Sequence, residues 1–169
     1  KGKWKKEDTG SRCDSRARSP QPTNQYDGYY ERDKKHGYGE FTWESGNRYC
    51  GNYHEDERQG YGKMTWTDGS TYTGHWETGV QHGIGTMTFP DGAKRAGFFE
   101  RNMFKDPLTD ASQLHESAIG PMPAYIKSEL LQYLTARAFK AQQLKIQGVV
   151  DVDQILNAVD DGLNGQHAH

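Results

Sequence analysis

The sequence predicts a mainly β protein, an extended single-layer antiparallel meander of short hairpins with α-helices at its C-terminal end. Three observations predict it. A five-residue pattern recurs every 23 residues, as Tyr26-Asp27-Gly28-Tyr29-Tyr30, Tyr49-Cys50-Gly51-Asn52-Tyr53 and Tyr72-Thr73-Gly74-His75-Trp76. Glycines and aromatics stay in phase through the rest of each unit. Hydrophobic residues make up only 33% of the chain, too few for a large closed core, whereas 20 Gly and 10 Tyr suit turn-rich β structure.

The columns specify the element type. After each opening pattern come Gly37, Gly60 and Gly83, then Gly39, Gly62 and Gly85, then Trp43, Trp66 and Phe89, then Gly46, Gly69 and Gly92. Tyr26, Gly28 and Tyr30 alternate with their neighbours at period two, the pattern of a strand with one packed face. A glycine between two aromatics leaves bare backbone on which a neighbouring ring can lie. Ser45-Gly46-Asn47, Asp68-Gly69-Ser70 and Pro90-Asp91-Gly92 supply one set of tight turns, and the second set is assigned to His36-Gly37, Gln59-Gly60 and His82-Gly83. Arg95-Ala96-Gly97-Phe98-Phe99 opens a fourth unit with its first aromatic replaced, so the array ends there. One aromatic face of such a ribbon is expected to meet a helix, another ribbon or a partner protein.

This organisation divides the chain into an extended basic arm at 1–25, units at 26–48, 49–71 and 72–94 with a partial one at 95–106, a linker at 107–123, helices within 124–163 and a tail at 164–169. Gly2 and Trp4 in the arm have the Gly-x-aromatic spacing of a unit, but the later columns are missing. Residues 124–147 read as one helix, with Ile126, Leu130, Leu134, Ala138 and Ala141 in a stripe widened by Leu131 and Phe139, and with Gly148 as its stop. Ile126, Leu130, Leu134 and Phe139 are the residues assigned to docking, either on the aromatic face of the ribbon or on another subunit. A shorter helix is expected at about 153–163.

The pattern Tyr-x-Gly-x-aromatic, then His-Gly-x-Gly, then aromatic-x-x-Gly resembles the MORN repeat, the membrane occupation and recognition nexus. Gln59 departs from its His column, Asp33 and Asp56 stand where Gly79 shows the usual turn residue, and Arg95 breaks the aromatic column. The resemblance implies a binding module of the kind found in cytoskeletal assemblies, including the radial spoke heads of ciliary and flagellar axonemes. Membrane-surface or phosphoinositide binding is the alternative.

Charge weighs between these readings. Residues 1–25 carry 7 basic and 3 acidic side chains, whereas 26–106 carry 10 and 13 and 107–169 carry 4 and 7. The acidic ribbon disfavours nucleic acid and leaves only the arm to attract anionic lipid. The expected partners are therefore proteins, with self-association open. His36 and His82 share a column and read as turn histidines donating to backbone, not as metal ligands. No nucleophile elbow or phosphate loop occurs, so no catalytic residue, metal or cofactor is assigned. Cys13 and Cys50 form no CxxC pair, and a reducing, intracellular setting is the default. Tyr26, Tyr30, Trp43, Tyr49, Tyr53, Trp66, Tyr72, Trp76 and Phe89 form the aromatic face, part structural and part partner-binding.

Overall fold

The computed structural model describes residues 23–114 and 122–156. Eight strands follow one another in a single antiparallel sheet, each paired with its sequence neighbours. They are β1 (Gln25–Glu31), β2 (Lys34–Thr42), β3 (Arg48–His54), β4 (Glu57–Thr65), β5 (Thr71–Glu77), β6 (Val80–Thr88), β7 (Lys94–Glu100) and β8 (Met103–Pro107). The expected meander is thus the observed fold.

A row of glycines crosses this sheet. The register pairs Gly28 with Gly39, Gly39 with Gly51, Gly51 with Gly62, Gly62 with Gly74, Gly74 with Gly85 and Gly85 with Gly97. Tyrosine rings lie on this bare track: a Cβ built on Gly62 would stand 2.5 Å from Cζ of Tyr49, and one on Gly85 2.5 Å from Cζ of Tyr72. The hydroxyls of Tyr26, Tyr49 and Tyr72 donate to the carbonyls of Tyr29 (2.8 Å), Asn52 (2.9 Å) and His75 (3.0 Å). Those three residues sit where the strand register shifts. The phenol therefore satisfies a carbonyl at the break in the ladder. Burial pushes the Tyr49 and Tyr72 phenols well above their ordinary pKa, so they stay protonated donors.

The register shift also corrects the second set of turns. The reversals lie at Arg32-Asp33, Glu55-Asp56, Thr78-Gly79 and Arg101-Asn102, all with positive φ. Two consecutive left-handed residues make the turn whose twist matches a hairpin. The His36-Gly37 column instead forms a bulge inside β2, where one residue of β1, Tyr29, faces three of β2. Gly46, Gly69 and Gly92, with φ of +106°, +97° and +95°, stand in the first set of turns as expected.

The aromatic face needs no helix to cover it. Its rings form an edge-to-face chain running Tyr30, Tyr26, Tyr53, Tyr49, Trp76, Tyr72, Phe99, Phe104, with successive centroids 5.0–5.5 Å apart. Each such contact adds about 0.5–1.5 kcal/mol to simple burial. Trp76 further donates from its indole nitrogen to the carbonyl of Gly62 at 3.2 Å.

Helix α1 (Ala124–Ile146) packs on the opposite face, against β6 and β7. Ile126, Leu130 and Tyr133 join Tyr61, Ala96, Leu108 and Leu114 in a second core, with Ile84 and Phe98 alongside. The expectation that the helix covers the aromatic face is therefore corrected. Leu108 and Leu114, in the stretch read as a linker, are buried, and Ala111–Leu114 form a 3-10 turn. Gly148, with φ of +88°, ends α1: its N–H donates to Lys145 O and that of Val149 to Leu144 O. Residues 152–156 are helical; the remainder of the second expected helix, the basic arm through residue 22 and the 164–169 tail lie outside the described residues.

His75 shows how the same face handles a buried base. It is only 4% exposed, stacks edge-on with Tyr61 at 5.3 Å and has its Nδ1 3.0 Å from the carbonyl of His82, to which it donates. Burial pushes its pKa below the ordinary 6.5.

Four outcomes follow for denaturation of the full chain. Gly62→Ala, forced against the Tyr49 ring, lowers stability by about 3 kcal/mol. Gly69→Ala, with nothing within 4 Å and only the positive φ to oppose it, costs about 1 kcal/mol. Leu130→Ala costs about 3 kcal/mol and Phe139→Ala less than ~0.5 kcal/mol, because the first side chain is fully buried and the second is 65% exposed. As pH falls below 6.5 the unfolded chain takes up a proton that native His75 resists, so stability declines; urea titrations across that range should show a flatter decline in His75→Gln.

Candidate interaction surface

The aromatic residues divide by position into a buried set and an accessible one. Tyr49, Tyr53, Tyr72, Trp76 and Phe89 are buried and hold the sheet together. Tyr26, Trp43 and Trp66 are half-buried, while Tyr30 at the open edge is 47% exposed. Each unit contributes to burying the rings of the next, and β1 is the first strand among the described residues, where Tyr26 and Tyr30 are less buried than Tyr49 and Tyr53. Tyr29, on the other face of β1, is 37% exposed as well.

Three cations complete the aromatic face, Lys35, Arg58 and Arg95, and sequence reasoning missed this role for each. Lys35 Nζ lies 5.7, 5.3 and 5.6 Å from the ring centres of Tyr26, Phe41 and Tyr53. One unit on, the Arg58 guanidinium lies 4.8 Å from the Trp76 ring and 5.8 Å from that of Trp43, and it donates to Gly79 O at 2.8 Å. Burial holds the Arg58 pKa below its usual value, with Tyr53 and Tyr49 opposing. Arg95, read as the end of the aromatic column, performs the same service: it is 5% exposed, 4.3 Å from the Phe104 ring and 5.5 Å from that of Phe89. The 23-residue step from Lys35 to Arg58 was the available signal.

Side chains latch one unit to the next along both borders. On the type of turn that joins β3 to β4, Asp56 accepts from the backbone N–H of Lys35 at 2.8 Å, and two units later Asn102 accepts from Gln81 at 2.9 Å. The Lys35 backbone N–H is the main reason that the Asp56 carboxyl titrates below the usual range. In return, His36 Nδ1 accepts from Glu55 N at 3.3 Å and Gln59 from Thr78 N at 2.9 Å. His36 therefore accepts where it was expected to donate, and glutamine does the same work in the same column. On the other border Asn24 and Asn47 accept from Glu44 N (2.8 Å) and Thr67 N (3.1 Å).

The remaining sequence candidates separate similarly. Ile126 and Leu130 dock on the sheet, Leu134 is half-buried and Phe139 points away from it. His36 and His82 lie on β2 and β6, four strands apart, about 19 Å at ~4.8 Å per strand. His36 Nε2 is 3.2 Å from Glu31, and its ring lies 4.8 Å from that of His54. Among the described residues no group of three His, Cys, Asp or Glu is placed to hold a metal ion. Cys50 is 2% exposed and disulfide-bonded, which the sequence reading with its reducing default did not anticipate; Cys13 lies outside the described residues. No helix among them is long and apolar enough to cross a membrane.

These observations describe an interaction module: a self-supporting sheet with exposed aromatics at one end and an exposed helix surface near the other. No curated protein matches the chain. The family model for the MORN repeat matches residues 26–48, 49–71 and 72–94, the same boundaries as the columns of the sequence. Residues 26–94 are three tandem MORN repeats.

Proposed function

We propose that this chain is a non-enzymatic scaffold that joins proteins within a cytoskeletal assembly, the setting being the axoneme of a cilium or flagellum, in a radial spoke or similar structure. MORN repeats are protein- and membrane-interaction modules. The observation that carries the reading is the separation of the accessible surfaces. Tyr30 is exposed on β1, at one end of the sheet, and α1 packs on β6 and β7, about five strands and ~24 Å away at ~4.8 Å per strand. A sheet that buries its own aromatic face between two such surfaces can hold two partners at a set distance.

One observation favours a second reading, membrane binding through lipid headgroups. Lys1, Lys3, Lys5, Lys6, Arg12, Arg16 and Arg18 cluster at the N-terminus, and basic residues near an anionic membrane contribute about 1 kcal/mol each. The repeats themselves are acidic.

Two fractionations test these readings on the full chain. Tagged at its own expression level in ciliated cells, the protein should remain in the detergent-insoluble cytoskeleton and leave it only at high salt. Release by mild detergent alone would put the membrane first. Sedimentation with phosphatidylserine and phosphoinositide vesicles should show little binding, all of it lost on removing residues 1–25; binding that survives the removal contradicts the charge argument.

A further inference from the structure

The sulfur of Cys50 is spoken for, and the chain offers one residue for the other half of the bond. Cys50 is disulfide-bonded, and the sequence contains two cysteines, Cys13 and Cys50. Cys50 sits within β3, in the body of the sheet, and is 2% exposed. A disulfide holds its two Cα atoms about 4.4–6.8 Å apart, closer than the ~10 Å at which two sheets stack face to face. Cys50 therefore cannot bond its own counterpart in a second copy, whereas an extended segment can lie directly over it.

The surroundings of Cys50 suit the segment that carries Cys13. The register sets Cys50 in one row with Glu40 on β2 and Asp27 on β1, and on its other side with Lys63, Thr73, Thr86 and Ala96. Ala96 belongs to the core that includes Ile126 and Leu130 of α1, so the whole row faces the helix side of the sheet. From Cys50 toward β1 this row is acidic: Glu40 accepts from Arg48 at 3.3 Å, and Asp27 is exposed. The 11 residues between Cys13 and Gln25 reach up to ~36 Å at ~3.3 Å per residue, against about 10 Å from β1 to β3 at ~4.8 Å per strand. Arg16 and Arg18 stand along that path, in the order that meets Glu40 first and Asp27 second.

We propose that Cys13 is bonded to Cys50, that this bond straps the basic arm across Glu40 and Asp27, and that thiol reduction releases the arm. Because Cys50 is buried, the thiolate of a small thiol attacks the Cys13 sulfur, forms a mixed disulfide there and expels the Cys50 thiolate, which takes up the proton. A second small thiol attacks the mixed disulfide at the reagent's sulfur. Cys13 leaves as a thiol and the reagent as its own disulfide, so the chain gains two electrons and two protons, and the small disulfide reverses the reaction. Release opens the seven basic residues of the arm to anionic surfaces. The strap stands apart from the scaffold reading, and its consequence for lipid rests on the membrane reading.

The test uses the purified full chain, equilibrated with either a small disulfide or a small thiol. The oxidised chain, thiol-blocked and digested after denaturation, should yield one linked peptide pair containing Cys13 and Cys50, from a species with the mass of one chain. Native trypsin cleavage after Arg16 and Arg18 should run at least fivefold faster in the reduced chain, and Cys13→Ser should be cut at that faster rate in both conditions. Asp27→Asn with Glu40→Gln should speed cleavage of the oxidised chain at least twofold. Free thiols at both positions, a bond that joins two copies, or cleavage indifferent to reduction or to the loss of the carboxylates overturns the inference. Phosphatidylserine vesicles should hold at least fivefold more of the reduced chain than of the oxidised one. Equal vesicle binding with faster cleavage keeps the strap and removes the membrane reading.

Discussion

The structure depends on the contact between a tyrosine ring and a glycine in the neighbouring strand. Tyr26, Tyr49 and Tyr72 lie across the glycine row, and each hydroxyl reaches the carbonyl three residues on. A ring can lie that close only over backbone without a Cβ, and the hydroxyl can be buried only because the bulge frees a carbonyl to receive it. Bulge, glycine and tyrosine are thus three parts of one device, repeated every 23 residues. From it follows the edge-to-face chain, since rings held flat on the track present their edges to the ring of the next unit. The cations Lys35, Arg58 and Arg95 then close over rings whose position is already set.

The ends of the array depart from this device in different ways. At the C-terminal end Arg95 replaces the tyrosine, and β8 stops at Pro107, opposite Gly97, with the Leu108 N–H still donating to Ala96 O at 2.8 Å. Leu108 then turns into the second core, and α1 covers the face opposite the rings. At the N-terminal end β1, the first strand among the described residues, keeps the full repeat chemistry, and its Tyr26 and Tyr30 are ordinary members of the ring chain that are more accessible than their counterparts in the next unit.

Much of this was legible because a repeat writes the same physical requirement several times. The glycine row and the ring chain could be read from columns in phase, and the helix from Ile126 and Leu130 with its stop at Gly148. The second turns were not, because Arg32-Asp33 and Glu55-Asp56 adopt positive φ without glycine, while the glycine at 37 marks a bulge instead. The side chosen by α1 was hidden for another reason. An apolar stripe on a helix shows that it docks but not where, and the receiving column, Tyr61 and Ile84, alternates out of phase with the rings. The cations escaped notice because Lys35, Arg58 and Gln81 differ in chemistry along one column. As for the candidate surface, the aromatics lie together on one face of the sheet, and how exposed each is follows from its place in the strand order.

The direction of the hydrogen-bond ladder has a mechanical consequence. Its bonds run from strand to strand, along the long axis of the array, so a pull between the first hairpin and α1 loads them one after another. Under such tension the sheet yields as a zipper does, hairpin by hairpin, at modest force and through many partial extensions. The border latches of Asp56 and Asn47 tie successive hairpins together by side chains, as do the Trp76 indole, the Arg58 guanidinium and the ring chain. Sideways shear across the strands instead loads whole ladders at once. A linker of this construction is compliant along its length and stiff across it, which suits a joint that must stretch without turning.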